Sequence, residues 1–82
     1  MAMVFMDHIE KAKEVFAENK IAYNFILKAE QTYKEGDYNL AVQSLNYACR
    51  VLLEQGKNKS EPGINNLYSA RSILMAEKPK KN

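Results

Sequence analysis

The sequence predicts an all-α protein, a small helical bundle, and three observations carry that expectation. Apolar residues return at alternating spacings of three and four along most of the chain, the period of a helix face rather than of a strand. Glycine and proline are scarce, three and two in 82 residues, which leaves little turn chemistry for a succession of strands. Most of those that occur fall between periodic segments: Gly36, Gly56 and Pro62 each stand where one helix ends or another begins.

The first segment, Val4 to Glu35, contains neither glycine nor proline. Phe5, Ile9, Ala12, Phe16, Tyr23, Ile26 and Tyr33 follow a single stripe once Asn19 and Glu30 are admitted to it. The favoured expectation is one long first helix over about 4–35, about 45–50 Å from end to end. The alternative is four short helices with a break near Asn19, a residue type that tolerates the left-handed conformation of helix ends. The helix start is expected either at Asp7, with Glu10 closing a capping box, or nearer Met3.

Gly36-Asp37 is the clearest punctuation: a glycine suited to the position after a helix end, then an aspartate able to cap the next helix. A second helix follows over 37–55. Ala41, Leu45, Ala48 and Leu52 form one row along it, Val42, Cys49 and Leu53 a second, and Leu40, Tyr47 and Val51 a third. A helix apolar around so much of its circumference is packed by more than one neighbour. Gly56 ends it, and Lys57 to Ser60 read as an exposed loop. Pro62 then opens a third helix over 62–77, with a stripe of Ile64, Leu67, Tyr68, Arg71, Leu74 and Met75. Residues 1–77 are expected to form a single domain, Pro79 ends the third helix, and 78–82 are expected to be a basic disordered tail.

Composition narrows the function classes. Hydrophobic residues make up 46% and charged residues 27% of the chain, too apolar for a disordered segment. No stretch approaches the ~20 apolar residues of a membrane span, and Met1 to Phe5 is too short and lacks the basic flank of a secretory signal. A single cysteine, Cys49, excludes an internal disulfide, so the cytoplasm is the expected compartment. One histidine, His8, and one cysteine cannot build a nitrogen–sulfur metal site, and no catalytic residues, metal ligands or cofactor site are expected. Glu10, Glu14 and Glu18 share a helix face but are interleaved with Lys11, Lys13 and Lys20, the pattern of a solvated, charge-balanced surface. The net charge of +2 is unevenly placed: residues 1–56 carry −2 and residues 57–82 carry +4, through Lys57, Lys59, Lys78, Lys80 and Lys81 among others. The five tyrosines fall mostly on apolar stripes, and any left exposed beside the second helix would make good interface anchors.

Around the Gly36-Asp37-Tyr38 turn the chain resembles a tetratricopeptide repeat. Phe25, Ala29 and Tyr33 precede the turn and Ala41, Leu45 and Ala48 follow it. The likeness covers about residues 22–53, one repeat-like unit. It implies a hairpin whose small residues at 29, 41 and 48 let two helices cross closely. It also implies peptide binding on the inner face of the first helix, here Tyr23, Ile26, Glu30, Tyr33 and Lys34. Members that clamp a terminal carboxylate use basic and amide residues where this chain has Ile26 and Glu30, so that activity is not implied. The hairpin also resembles three-helix domains that bind microtubule and trafficking partners, and the helical domains of prokaryotic toxin systems. The nucleases among the latter place a histidine shortly after an arginine, which neither Arg50 nor Arg71 has.

A long first helix has a consequence. The second and third helices cannot cover it all, so Phe5, Ile9, Ala12 and Phe16 would form an apolar stripe on a protruding arm. Burying a single Phe or Ile is worth about 1.5–3 kcal/mol, and a second copy of the chain, packed antiparallel, would supply the cover. The expected function is therefore a non-catalytic protein-interaction module, a small helical adaptor or regulator acting as a homodimer through those four residues and binding another protein. The alternative is a nucleic-acid-associated regulatory or accessory protein using the basic loop and tail.

Overall fold

The computed structural model describes residues 4–58 and 61–77, and every regular element in them is a helix: α1 (Phe5–Val15), α2 (Lys20–Lys34), α3 (Tyr38–Glu54) and α4 (Pro62–Glu77). α2 packs on α3, α3 on α4, α4 on α1 and α1 back on α2, so that the four helices close into a ring around one core. Neighbours run antiparallel. Asn19 at the start of α2 bonds Gln55 at the end of α3, and Phe25 stacks on Tyr47 further along the same pair. Residues His8 and Asn66, with Phe16 and Gly63, fix the opposed directions of α1 and α4. The short connections between successive helices leave little choice but this up-and-down order.

The favoured long first helix is not formed; the alternative with a break near Asn19 is. α1 has 11 residues, and a turn through Phe16 hands over to α2 at Asn19. The Asn19 side chain accepts the Ala22 N–H (3.4 Å) and so caps α2 without leaving ordinary extended backbone. A straight helix over 4–35 would be about 48 Å long, whereas the longest dimension of the molecule is 40 Å. The energetics favour the fold-back. Phe5, Ile9 and Phe16, exposed by only 1%, 0% and 5%, each gain about 1.5–3 kcal/mol on burial. Opening one turn forfeits a few backbone hydrogen bonds, each worth about 1 kcal/mol net.

The expected dimer stripe is corrected by the same fact. Phe5, Ile9, Ala12 and Phe16 all belong to the core of a single chain, packed against α4 and α2, and have no face to offer a second copy.

Helix ends follow the residues. At Gly36 (φ +85°) and Gly56 (φ +91°) the chain enters the left-handed region. Asp37 N–H then reaches back to Thr32 O (2.9 Å) and Lys57 N–H to Leu52 O (3.0 Å), which satisfies carbonyls that the helices leave open. Asp37 closes one helix and begins the next, since its carboxylate accepts the Leu40 N–H (3.1 Å). Pro62 occupies the first turn of α4, where a missing N–H costs nothing. Asp7 is not a cap: α1 starts at Phe5, and Asp7 reaches back from the third position to the Val4 N–H (3.2 Å).

The core divides the three rows of α3 as their chemistry demands. Ala41, Leu45, Ala48 and Leu52 are fully buried, and with Ala22 and Ala29 they let α2 and α3 approach closely. Cys49 is buried, and Val42 and Leu53 are partly so. Leu40 and Tyr47, exposed by 38% and 50%, stay outside with half-buried Val51. On α4 the inward positions are Gly63, Ile64, Leu67, Ala70 and Leu74; Met75, expected on that stripe, points to solvent at 54% exposure. At one end of the bundle three rings stack in series, Phe5 on Tyr33 (4.1 Å) and Tyr33 on Tyr38 (5.4 Å).

Candidate interaction surfaces

The inner face implied by the hairpin resemblance is where α1 lies. Ile26 is fully buried and Tyr33 is stacked between Phe5 and Tyr38. Glu30 is held by Lys13 of α1 (3.0 Å) and by Lys34 (3.2 Å). Tyr23 is half-buried, and only Lys34 of the five is exposed. An incoming peptide would meet α1 before it met this face. Of the five residues expected to bind a partner, Ile26 is thus in the core, Tyr33 and Glu30 are engaged by α1, and Tyr23 and Lys34 reach the surface.

The titratable groups at that junction are structural. Burial alone would raise the Glu30 carboxyl, but hydrogen bonds from Lys13 and Lys34 outweigh it and hold the group below its usual 4.5. Lys13 is raised above 10.5, chiefly by its hydrogen bond to Glu30. Burial also lifts the Tyr33 phenol, with Glu77 and Tyr38 adding to the effect.

His8 likewise has a structural partner. The Asn66 amide donates through Nδ2 to Pro62 O (2.8 Å), which leaves Oδ1 to accept from His8 Nδ1–H (2.8 Å). This bond ties α1 to the first turns of α4. Glu10, Glu14 and Glu18 lie exposed, as a solvated face requires. Among the described residues, no group of three or more His, Cys, Asp and Glu gathers at metal-binding distance, and no helix is long and apolar enough to cross a membrane.

Two surfaces stand out. The first is the outer face of the α2–α3 hairpin. Phe25 and Tyr47 stack there (5.5 Å). One helical turn away, towards the Asn19–Gln55 bond, Ile21 (55% exposed) follows Phe25 on α2 and half-buried Val51 follows Tyr47 on α3. Leu40 extends the row two turns in the other direction. The third row of α3 was visible in the sequence; Phe25 and Ile21 joining it depended on the register of the hairpin.

The second is a cleft of about 440 Å³ between α3 and α4, lined by Asn46, Cys49, Arg50, Leu53, Glu54, Tyr68 and Arg71. Arg71 Nε is sealed from water and has no hydrogen-bond acceptor, a state that costs about 1–3 kcal/mol. Beside it, burial pushes the Cys49 thiol up to about 11, against the opposing pull of the Arg71 charge. The sequence placed Arg71 on an apolar stripe, and only the α3–α4 packing brings it beside Arg50. A further cleft of about 620 Å³ lies between Val15, Phe16 and Ile21, rimmed by Glu18 and Glu61 against Lys20 and Lys57; its rim charges cancel. Of the basic residues expected to touch phosphates, Lys57 is exposed, and Lys59, Lys78, Lys80 and Lys81 lie outside the described residues.

Fold and surface together define a four-helix bundle with an exposed aromatic–aliphatic row and an arginine-lined cleft. Compared with family models, with curated proteins and with solved structures, the chain finds no match.

Proposed function

We propose that this chain is a non-catalytic protein-interaction module, a small helical adaptor or regulator that presents the outer face of its α2–α3 hairpin. One observation carries the reading: with the core already closed, Ile21, Leu40 and Tyr47 stay exposed on the outer face of the hairpin, beside half-buried Phe25 and Val51. Scattered exposed hydrophobics are ordinary, but a row centred on an aromatic pair has the composition of an interface core. Tyr47 is the natural anchor, since tyrosine supplies a large amphipathic area with few rotors to order. The tetratricopeptide-like pattern of the hairpin and the buried free thiol suit such a module in a reducing interior such as the cytoplasm.

The simplest occupant is a second copy, because a face made of two antiparallel helices can meet itself across a two-fold axis. Sedimentation at increasing concentration tests this, with wild type expected to associate and Tyr47→Asp to stay monomeric with unchanged helicity. If wild type is monomeric at high micromolar concentration, the partner is another protein. A photo-crosslinking amino acid at position 47, with position 14 on α1 as the control, then decides. Capture from cells at 47 alone supports the reading; equal capture at both positions, or at neither, removes it. Binding to generic nucleic acid that weakens steeply with salt would favour the phosphate-binding alternative instead.

A further inference from the structure

The chain has twelve basic side chains, only two of them arginines, and both arginines line the α3–α4 cleft. Lysine serves a solvated surface as well as arginine does, whereas arginine is the residue that grips a two-oxygen anion through paired N–H donors. Arg71 is positioned for that use. Its Nε–H is buried beside the cleft without an acceptor, and no described carboxylate pairs with it. The neighbouring Cys49 thiol stays neutral at ordinary pH and offers no counter-charge. Arg50 is only loosely held: its contact with Glu54 is 3.6 Å long and both side chains are more than two-thirds exposed, so solvent screens it. The rest of the lining is Leu53, Cys49, the Tyr68 ring, Asn46 and the Glu54 carboxylate that Arg50 contacts, so an incoming carboxylate displaces Glu54 from Arg50.

We propose that the α3–α4 cleft binds a carboxylate carried on an apolar or aromatic body, with Arg71 as the principal anion contact and Arg50 closing over it. The apolar body rests on Leu53 and Tyr68. A small turn of the Arg71 side chain brings its donor edge to the ligand, and the unpaired Nε–H gains the acceptor it lacks. A volume of about 440 Å³ is within the range of small-molecule sites. A bare inorganic anion would leave the apolar half unused, and a neutral analogue would leave the arginines unpaired. The site lies apart from the α2–α3 row and does not depend on the interaction reading.

Benzoate is a suitable probe, with benzamide as its neutral counterpart and inorganic phosphate as the anion without a body. Because the chain has two arginines, ¹⁵N-labelled protein gives two side-chain Nε–H resonances, one of them Arg71. Benzoate is expected to shift the Arg71 Nε–H resonance saturably, together with the backbone amides of Leu53 and Tyr68. Benzamide is expected to leave them in place, and phosphate to bind at least about tenfold more weakly than benzoate. Arg71→Met should abolish the response. Should that variant fail to fold, Arg50→Gln, at an exposed position, is expected to weaken benzoate severalfold with helicity unchanged. An unmoved Arg71 resonance, equal shifts with benzamide, phosphate binding as tightly as benzoate, or an Arg50→Gln protein indistinguishable from wild type would each overturn the assignment.

Discussion

The Phe16 ring lies so close over the backbone of Gly63 that a Cβ added there would stand 2.6 Å from the ring. The fold-back of α1 onto α4 depends on this contact. Replacing a helical glycine by alanine ordinarily gains up to about 1 kcal/mol. At Gly63 the sign should reverse. Phe16 is 5% exposed and cannot swing away freely, and forcing a methyl into a packed contact costs about 1–3 kcal/mol. Gly63→Ala is expected to lose about 1–2 kcal/mol in urea unfolding with an unchanged m-value. A variant as stable as wild type would mean that α1 and α4 are not held at this distance.

Asn19 ends the first apolar segment with its side chain alone. Oδ1 accepts the Ala22 N–H and Nδ2 donates to Gln55 Oε1 (2.6 Å), so one amide caps α2 and joins the α1–α2 turn to the end of α3. Loss of an N-cap costs about 0.5–2 kcal/mol, and the 3.4 Å capping bond places this one near the middle or below. Asn19→Ala is expected to lose about 1 kcal/mol in the same assay. Asn19→Asp keeps the capping acceptor and should lose less; equal losses would show that the Gln55 bond, not the cap, matters.

Much of this architecture was legible in the chain because its signals are local. Gly36, Asp37, Gly56 and Pro62 mark four helix termini by their own local chemistry, and the α3 span and the start of α4 follow from them. The break at Asn19 was less legible. Asparagine is a weak stop without glycine or proline, and the stripe from Phe5 to Tyr33 continues through it in phase. What breaks the helix is tertiary: folded back, α1 packs along α4, where Gly63 meets the Phe16 ring, and a straight helix could not use that cover. With that one turn the expected dimer stripe is buried within the chain, and Tyr33 and Glu30 of the expected inner face are met by Phe5 and Lys13 of α1. The Leu40, Tyr47 and Val51 row survived because it needs only the period of α3. The pairing of Arg50 with Arg71 was out of reach, since it depends on how α4 is rotated against α3.

The Lys13–Glu30 contact should leave a pH signature. Glu30 is held below 4.5 in the folded chain, so its contribution is complete above that value and is lost as pH falls through the folded pKa. Lys13 is raised above 10.5, so its contribution is complete below that value and fades as pH rises through the folded pKa. The pair therefore stabilises across the interval between. With a 3.0 Å charged hydrogen bond at a partly sheltered position, Glu30→Gln is expected to cost about 1 kcal/mol at pH 7. The difference from wild type should shrink on acidification below 4.5. A difference that stays constant down to the acid transition would show that the amide is destabilising for some reason other than charge.

Cys49 should be chemically silent in the folded protein. Its thiol is 4% exposed, and burial lifts its pKa from 9.0 to about 11. Two pH units mean about a hundredfold less thiolate, the reactive form, at pH 8 than for an ordinary cysteine. Steric cover slows the reaction further. Alkylation by iodoacetamide at pH 8 is therefore expected to proceed only through opening of the α3–α4 packing and to accelerate towards the free-thiol rate as urea unfolds the chain. The same shift has a sign for stability: the folded state holds this proton more tightly, so its contribution is present below pH 9.0 and declines as pH rises towards about 11. Cys49→Ala should remove that alkaline decline while losing some packing at every pH. Rapid labelling of native protein at the rate of an exposed thiol would mean that α4 does not cover Cys49, and would withdraw the neutral floor assigned to the arginine cleft.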